Sequence, residues 1–278
     1  MPASFAPISV ILPFYQGDVP AYLDLALKSL FEQSLRADEV VLVQDGAVSE
    51  AHLEVIRSWM ERMPEIRLLE RPVNGGLSKA LNSGIEAAKN EWLARMDADD
   101  ICLIERFEKQ WKCIQEKPEL DILGSWIVEY DESMRQILGE RRLPETHKEL
   151  LAYAKWRCPF NHMTVMYRKS ALQDLGCYKD FGAVGDDYEL WARFFMNGFV
   201  GYTIQESLVH ARTGSDFFVK RRRGLRYLKN ELNEIRELKK MGMINSFHFA
   251  VHFVVKSIVR LAPVWMVKWV YSTLRRGA

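Results

Sequence analysis

The sequence predicts an α/β protein in which a mostly parallel sheet is flanked by helices and followed by a helical C-terminal extension. Short runs rich in β-branched residues alternate with helical patterns, which predicts βαβ units with parallel strands. The β-branched runs fall at 8–12, 39–44, 66–69 and 92–96, and the helical patterns between them at 21–33, 50–63 and 77–88. Polar or acidic residues follow three of the runs, at the strand ends where such sheets bind ligands.

The second half of the chain continues this sheet with a different rhythm. Strand-like runs at 122–129 and 164–167 and helical patterns at 169–175 and 188–197 indicate an extension of the same sheet. From residue 217 onward the pattern is helical, with segments to 240, at 246–260 and after Pro263. We therefore predict a domain over 1–215, with halves of about 1–117 and 118–215, and a helical region over 216–278.

Composition narrows the class of protein. The 278 residues are 48% apolar and 27% charged, which is typical of a globular protein. The net charge of +1 gives no indication of a nucleic-acid partner, and we expect none. The four cysteines lack the spacing of a zinc site and the density of a disulfide scaffold, which indicates a reducing cytosol. They are Cys102, Cys113, Cys158 and Cys177. Residue 1 is not followed by a basic segment and a long apolar run, so we expect no signal peptide or N-terminal anchor.

An acidic cluster follows the run at 92–96. Asp97, Asp99 and Asp100 lie within four residues, and their carboxylates repel one another unless a cation or hydrogen-bond donors compensate. Mg²⁺ or Mn²⁺ prefers oxygen ligands and is usually held by one or two carboxylates together with substrate phosphates. The alternative is a solvated acidic turn that caps a helix starting near Ile104.

Four motifs in the same order carry a family resemblance. They are Ser-Val-Ile-Leu-Pro-Phe-Tyr at 9–15, Asp-Gly at 45–46, the segment 71–85 with its Asn-Gly-Gly-Leu-Ser, and Asp-Ala-Asp-Asp at 97–100. Over about 8–215 the chain resembles family 2 glycosyltransferases with the GT-A fold, of the bacterial O-antigen and exopolysaccharide type. The resemblance implies an inverting, metal-dependent transfer from a nucleotide-sugar donor, with Mn²⁺ or Mg²⁺ as cofactor. The Gln-x-x-Arg-Trp signature of processive synthases is absent from the sequence, which favours addition of a single sugar.

The resemblance also assigns the donor-binding residues. Pro13 and Tyr15 lie beside the base in similar enzymes, although Gln16 replaces the usual Asn. Asp45 matches an aspartate that accepts a hydrogen bond from the base, which implies a UDP-sugar. The alternative for Asp45 and Gly46 is a simple turn. The remaining donor contacts implied by the resemblance are Arg71, Asn74, Ser78, Asn82, Asp97 and Ala98, with helix capping and an ion pair as the structural alternatives.

The resemblance divides the remaining roles as follows. Asp99 coordinates the metal, and Asp100 supports its geometry. Asp187 falls on the catalytic base, and its neighbour Asp186 stands where the family usually has Glu. Either could be the base, and both could simply cap a helix. His162 is placed near the acceptor or the diphosphate, or is a structural hydrogen-bonding residue. Arg212 and Ser215 fall near the diphosphate, and the run at 220–223 either joins them or is a solvated face.

The C-terminal region reads as a basic amphipathic helix. His248, His252, Lys256 and Arg260 recur every fourth residue and form one polar stripe on an otherwise apolar helix. With the aromatic and basic residues that follow, this pattern suits the headgroup boundary of an anionic membrane, and the alternative is packing on the core or on another subunit. The aromatic and basic residues concerned are Trp265, Lys268, Trp269, Tyr271, Arg275 and Arg276. Lys256, Arg260, Pro263 and Lys268 interrupt any clean span of about 20 apolar residues.

Three functions remain open at this point. The first is transfer of one hexose or N-acetylhexosamine from a UDP-sugar to a lipid-linked saccharide, by a peripheral protein on the inner face of the plasma membrane. The second is a sugar nucleotidyltransferase, which would need a Gly-rich, Arg-containing loop straight after the first strand, and residues 13–17 offer none. The third is a saccharide- or membrane-binding protein with a degenerate site. The presence of both Asp99 and Asp187 argues against it. Oligomeric state is not predicted.

Overall fold

The computed structural model describes residues 4–180, 186–213 and 224–261, without the side chains of Asp186 and Arg226. Nine strands form one sheet in the order β3-β2-β1-β4-β8-β6-β9-β5, with β7 paired to β6. The strands are β1 Phe5–Phe14, β2 Arg36–Asp45, β3 Ile66–Arg71, β4 Trp92–Arg95, β5 Ile101–Cys102, β6 Ile122–Tyr130, β7 Ile137–Arg141, β8 Met166–Arg168 and β9 Gly201–Arg212.

The described helices connect these strands and cover both faces of the sheet. They are α1 Pro20–Phe31, α2 Glu50–Arg62, α3 Leu77–Ala87, α4 Arg106–Glu116, α5 His147–Tyr153, α6 Lys169–Asp174, α7 Asp186–Met196, α8 Leu225–Lys240 and α9 Ser246–Leu261. Side chains alternate along β1, so Val10 and Leu12 enter one buried cluster with residues of α1, α2 and α4, while Ile11 enters another with residues of α3, α7 and α8. Burial on both faces explains why β1 and β2 are continuous apolar runs.

The structure confirms the predicted βαβ units. Strands β1 to β4 pair only in parallel with one another, as the alternation of strands and helices predicts. Antiparallel pairing begins where β8 joins β4, and β6 and β8 belong to the same sheet, as predicted for the second half. Strand β9 is absent from the sequence prediction because its residues do not alternate in a clean apolar pattern, and its pairing with β6 contains register shifts.

Helices α8 and α9 pack together, and the polar stripe of α9 packs on the protein, which is one of the two alternatives given by the sequence. The polar stripe faces the protein rather than solvent or headgroups. His252 is 7% exposed, and its Nε2 lies 2.9 Å from the backbone oxygen of Lys155. Lys256 Nζ lies 3.0 Å from Glu231 of α8, and Arg260 Nε lies 2.7 Å from the same carboxylate. Trp265, Trp269 and Tyr271 lie outside the described residues.

No helix within the described ranges has both the length and the apolar character needed to cross a bilayer.

Candidate active site

Pro13, Tyr15, Asp45 and the acidic segment 97–100 lie at the carboxyl ends of β1, β2 and β4, where a parallel sheet binds its ligands. Pro13 is buried in β1, and Tyr15 follows the strand with its side chain 43% exposed. Asp18 closes this turn: its carboxylate accepts a hydrogen bond from Tyr15 N at 2.9 Å, and its own N–H donates to Tyr15 O at 3.1 Å. An aromatic ring is thereby presented at the rim of the sheet.

Asp45, the last residue of β2, organises the loop after β3. Its side chain is 4% exposed and forms an ion pair with Arg71. Its two oxygens also accept hydrogen bonds from Gly75 N at 3.0 Å and Gly76 N at 2.9 Å. Charge-assisted bonds to a buried carboxylate are strong, so Asp45 holds the start of α3 against the end of the sheet. This role differs from a simple turn.

Gly46 is required by the same junction. Its φ of +85° lies in the left-handed region, and an added Cβ would lie 2.6 Å from the backbone nitrogen of Asn74. The Asn74 side chain itself is exposed, and Ser78 is buried in the first turn of α3. These two predicted donor residues therefore flank one loop, with one facing solvent and the other facing the core.

Asn82 of α3, a predicted donor residue, makes a structural contact with a distant part of the chain. Its Nδ2 donates to the backbone oxygen of Tyr178 at 2.9 Å, and Tyr178 N donates to its Oδ1 at 3.0 Å. A side-chain amide bonded in both directions to one backbone fixes that backbone in place. Asn82 thus joins the first half of the domain to the segment after α6.

The acidic cluster is a physical cluster and not only a sequence one. One oxygen from each of Asp97, Asp99 and Asp100 lies within 4.8 Å of the others. Asp100 is 2% exposed, and one of its oxygens accepts a hydrogen bond from Arg212 N at 2.8 Å. Its other oxygen has no donor among the described residues. Ala98 is buried between these acids.

Charge repulsion in this cluster is large. Burial, followed by the charges of Asp97 and Asp18, raises the pKa of Asp99 to about 7. Burial and the same kind of repulsion from Asp97 and Asp99 raise the pKa of Asp100 well above its usual value. Three close carboxylates, with one buried oxygen lacking a donor, fit a hard divalent cation, which prefers oxygen ligands. The acidic cluster therefore offers the carboxylate oxygens that Mg²⁺ or Mn²⁺ needs.

Two residues near the cluster were missed by the sequence analysis. Burial raises the pKa of Asp18 to about 6, and the charge of Asp97 adds to the effect. Arg95, the last residue of β4, is 3% exposed and pairs with Asp97. Its Nε and Nη1 have no acceptor among the described residues. The available signal was a guanidinium at the end of an otherwise apolar strand, since a buried Arg is rare unless it is paired.

Arg212 lies at the end of β9 and closes the cluster from the other side. Its Nε donates to the backbone oxygen of Asp99 at 3.1 Å, and its guanidinium also bonds to the backbone oxygen of Glu132. Its Cζ lies 3.7 Å from the ring centroid of Tyr22. Arg212 therefore orients the acidic loop directly. Ser215 and the basic run at 220–223 lie outside the described residues.

Asp187 begins a separate part of the site, in the first turn of α7. The thiol of Cys158 lies 3.3 Å from its Oδ2 and 3.4 Å from the backbone oxygen of Phe160. Burial and the Asp187 charge raise the pKa of Cys158 well above its usual value, so the thiol stays protonated and donates a hydrogen bond to the carboxylate. The next residue, Tyr188, donates its hydroxyl to Ala154 O at 2.6 Å. The side chain of Asp186 lies outside the described atoms.

His162 is a neutral, hydrogen-bonded residue between the two parts. Its Nε2 lies 2.8 Å from the hydroxyl of Tyr178. Burial lowers the pKa of His162 well below its usual value, and the positive charge of Arg95 lowers it further. The Tyr178 hydroxyl is within electrostatic range of both Arg95 and Asp187. His162 and Tyr178 thus lie between the acidic cluster and Asp187.

Comparison with known proteins assigns this chain to a family and a fold. The profile described as "Glycosyl transferase family 2" matches residues 9–176. The chain therefore belongs to glycosyltransferase family 2 and has the GT-A fold. The amylovoran biosynthesis glycosyltransferase AmsE of Erwinia amylovora is 37% identical over 97% of this chain and 99% of its own length. The UDP-Gal:alpha-D-GlcNAc-diphosphoundecaprenol beta-1,3-galactosyltransferase of Escherichia coli is 30% identical over 96% of both chains.

Solved structures show the same fold at lower identity. Residues 1–349 of S. aureus TarS in complex with UDP-GlcNAc match with a TM-score of 0.64 and 18% identity, over 90% of this chain and 72% of that one. The mannosyltransferase PcManGT from Pyrobaculum calidifontis, in complex with GDP-Man and Mn²⁺, matches with a TM-score of 0.63 and 20% identity. This second match covers 84% of this chain and 64% of that one.

Proposed function

We propose that this protein transfers a single hexose or N-acetylhexosamine, with inversion, from a UDP-sugar to a lipid-linked saccharide in bacterial surface-polysaccharide synthesis. The observation that carries the proposal is the presence of two separate acidic centres, one at a strand end and one at the start of a helix. Asp97, Asp99 and Asp100 lie at the end of β4, and Asp187 lies apart from them on α7. Transfer of a sugar from a diphosphate needs both a site for the leaving diphosphate and a separate base.

The donor side is assigned to residues at the ends of β1 and β2. Tyr15 offers an exposed ring for stacking on the base. Asp45 at the end of β2 pairs with the partly exposed Arg71 at the end of β3, and this pair would offer a pyrimidine ring an acceptor for its N–H and a donor for its carbonyl. Asn74, Ser78 and Asn82 line the loop and helix that Asp45 fixes. The name of the E. coli relative, which specifies UDP-Gal, supports a UDP-sugar here.

A divalent ion, Mn²⁺ or Mg²⁺, would be held by Asp99, with Asp97 and Asp100 beside it. When bound, the ion stabilises the negative charge of the departing diphosphate. Arg95 neutralises Asp97, and Arg212 fixes the backbone of Asp99. Both contacts keep the three carboxylates in one place although they repel one another.

Asp187 is proposed as the base that removes the proton of the acceptor hydroxyl during in-line attack on the anomeric carbon. Cys158 holds one oxygen of Asp187, so the carboxylate has a defined direction before the acceptor binds. Asp186 and His162 are assigned to the acceptor or diphosphate region. His162 is neutral and bonded to Tyr178, so it positions groups between the centres and is not the base.

The name of the E. coli relative, which specifies a diphosphoundecaprenol-linked saccharide, supports a lipid-linked acceptor here. Such an acceptor is confined to a bilayer, so the enzyme that uses it must reach the membrane surface. We therefore place the protein on the inner face of the plasma membrane as a peripheral protein.

The test is a donor screen with the purified full chain. Release of nucleoside diphosphate is measured for UDP-galactose, UDP-glucose, UDP-N-acetylglucosamine and GDP-mannose, with Mn²⁺, Mg²⁺ or EDTA and a polyprenyl-diphosphate saccharide. We expect release from a UDP-sugar only with metal and acceptor together. Asp187→Asn should lower turnover by at least about a hundredfold, the lower range for a lost acid–base group. Asp99→Asn should abolish metal-dependent turnover, because Asp99 is the proposed metal ligand.

The matched control is Asp174→Asn, the same change at an exposed carboxylate at the end of α6. It should turn over like the wild type. Activity retained in both site variants would refute the assignment. UDP binding without any turnover across the donor panel would favour a degenerate, saccharide-binding protein, and formation of a nucleotide sugar from a sugar phosphate would favour a nucleotidyltransferase.

A further inference from the structure

Helix α9 has an exposed apolar face opposite its polar stripe. Phe247 is 67% exposed, Val254 53% and Ile258 56%. Ala250 and Leu261 lie on the same side of the helix, and both are exposed. A contiguous exposed row of large apolar side chains marks a contact surface, because single surface hydrophobics do not align in this way.

The neighbouring helix α8 presents cations to solvent. Apart from Leu225 at its start, its exposed residues are Lys229, Arg236, Lys239 and Lys240. Its carboxylates Glu231 and Glu234 are buried, and Glu231 is neutralised by Lys256 and Arg260. The partly exposed Glu237 pairs with Lys240, which leaves Lys229, Arg236 and Lys239 as exposed cations with no ion pair among the described residues. No Asp or Glu occurs in the sequence after Glu237. The outer surface of the α8–α9 pair is therefore apolar on one helix and cationic on the other.

The loop after α5 connects the inward polar stripe of α9 to Asp187. The ring of Trp156 lies 4.5 Å from that of His248, centroid to centroid, and Lys155 O is held by His252. Two residues further on, Cys158 contacts Asp187. A short stretch of chain thus touches α9 at one end and the acceptor side of the site at the other.

We propose that the apolar face of α9 inserts into the headgroup boundary of an anionic bilayer, with the exposed cations of α8 against the lipid headgroups. Apolar area together with cations is the combination that binds peripheral helices to anionic membranes. Membrane binding itself does not depend on the proposed function. Only its consequence does, namely that a lipid-linked acceptor would be delivered beside Asp187. The membrane contact is the apolar face, and not the polar stripe.

Two other occupants of this face are disfavoured by charge. In a two-fold dimer, a second copy would bring the same set of cations to the interface, and like charges repel. Residues 262–278 carry Lys268, Arg275 and Arg276 and no carboxylate, so covering the face with this segment would also add positive charge.

The experiment is co-sedimentation of the full chain with vesicles of phosphatidylethanolamine and phosphatidylglycerol, compared with phosphatidylcholine alone. We expect binding to the anionic vesicles, and a partition coefficient at least tenfold lower for Val254→Asp with Ile258→Asp. Val254→Ser with Ile258→Ser gives a milder version of the same change. The matched control is Ile104→Asp. Ile104 is 59% exposed, close to the 56% of Ile258, and it lies outside the α8–α9 pair. This control should bind like the wild type.

UDP titration with Mn²⁺ and light scattering after size exclusion are carried out on the same samples. Unchanged UDP affinity in the Asp variant, with lost vesicle binding, supports the proposal. Equal vesicle binding by wild type and both α9 variants, or no binding by wild type, overturns it. A dimer that the same variant disperses also overturns it, in favour of a second copy. Vesicle binding without any glycosyl transfer would refute the proposed function and leave the docking surface intact.

Discussion

Asp45→Asn separates an anchoring role for this carboxylate from a role in base binding alone. The side chain accepts hydrogen bonds from Gly75 N and Gly76 N and pairs with Arg71, all in a site that is 4% exposed. An amide of the same shape offers only one acceptor oxygen and no charge. Whichever way it is turned, one backbone N–H faces an NH₂ group, and Arg71 loses its counter-charge.

The size of the effect follows from these contacts. A hydrogen bond to a charged group contributes about 1.5–3 kcal/mol, and removing one partner of a buried ion pair is also costly. Because Arg71 remains partly solvated, we expect the free energy of unfolding to fall by about 3 kcal/mol in total. For a chain of 278 residues that corresponds to a Tm lower by about 5 °C.

The assay is thermal unfolding of wild type, Asp45→Asn and the exposed control Asp174→Asn, each with and without UDP and Mn²⁺. The anchoring role predicts a lower Tm in the absence of nucleotide and a smaller shift on adding it. A role in base binding alone predicts an unchanged Tm without UDP and loss of the UDP shift only. Unfolding of free Asp45→Asn within about 0.5 kcal/mol of wild type, the usual range for neutral surface changes, would refute the anchoring argument.

Three further outcomes are expected. Gly46→Ala should lower the free energy of unfolding by more than about 2 kcal/mol in chemical denaturation, because its φ is left-handed and an added Cβ meets a backbone nitrogen at 2.6 Å. Gly176→Ala has a similar φ with open space around it and should cost only about 1 kcal/mol, so equal losses would contradict the steric argument. Burial lowers the pKa of His252 below its value in the unfolded chain. The unfolded chain therefore takes up the proton more readily, and the contribution of His252 to stability, complete above about pH 6.5, falls as the pH drops below that value. Unfolding at pH 7.5 and 5.5 should differ less in His252→Gln than in wild type, and an identical difference would be inconsistent with this assignment. Cys158→Ala should lower kcat roughly two- to tenfold, the value of one hydrogen bond to Asp187, with UDP affinity unchanged and partial recovery in Cys158→Ser; an unchanged kcat would show that the thiol does not position the base.

The strands and helices of the first half could be predicted from the sequence because each signal there is local. A run such as 8–12 is apolar on both faces and must be buried on both, which only a covered sheet provides. The four short motifs were also readable, because each occupies the end of one strand. The structure brings Asp45 and the acidic cluster to the same edge of the sheet, as that reading predicts.

The side-chain partners of these residues could not be predicted from the sequence. Arg95 is close in sequence to Asp97, but its burial depends on β8, which joins β4 from the second half of the chain. Arg212 reaches Asp99 and Asp100 only because β9 pairs with β5. The contact of Cys158 with Asp187 joins residues 29 positions apart. Such contacts depend on chain topology, which sequence periodicity does not specify.

The polar stripe of α9 shows most clearly what sequence periodicity cannot determine. The sequence determined that α9 has one polar and one apolar face, because a spacing of four residues aligns side chains along a helix. Only the tertiary structure decided which face points inward. Glu231 of α8 and the backbone oxygen of Lys155 offer the polar stripe buried partners, and these partners are distant in sequence. Periodicity defines the faces of a helix, but the groups packed against each face determine its orientation.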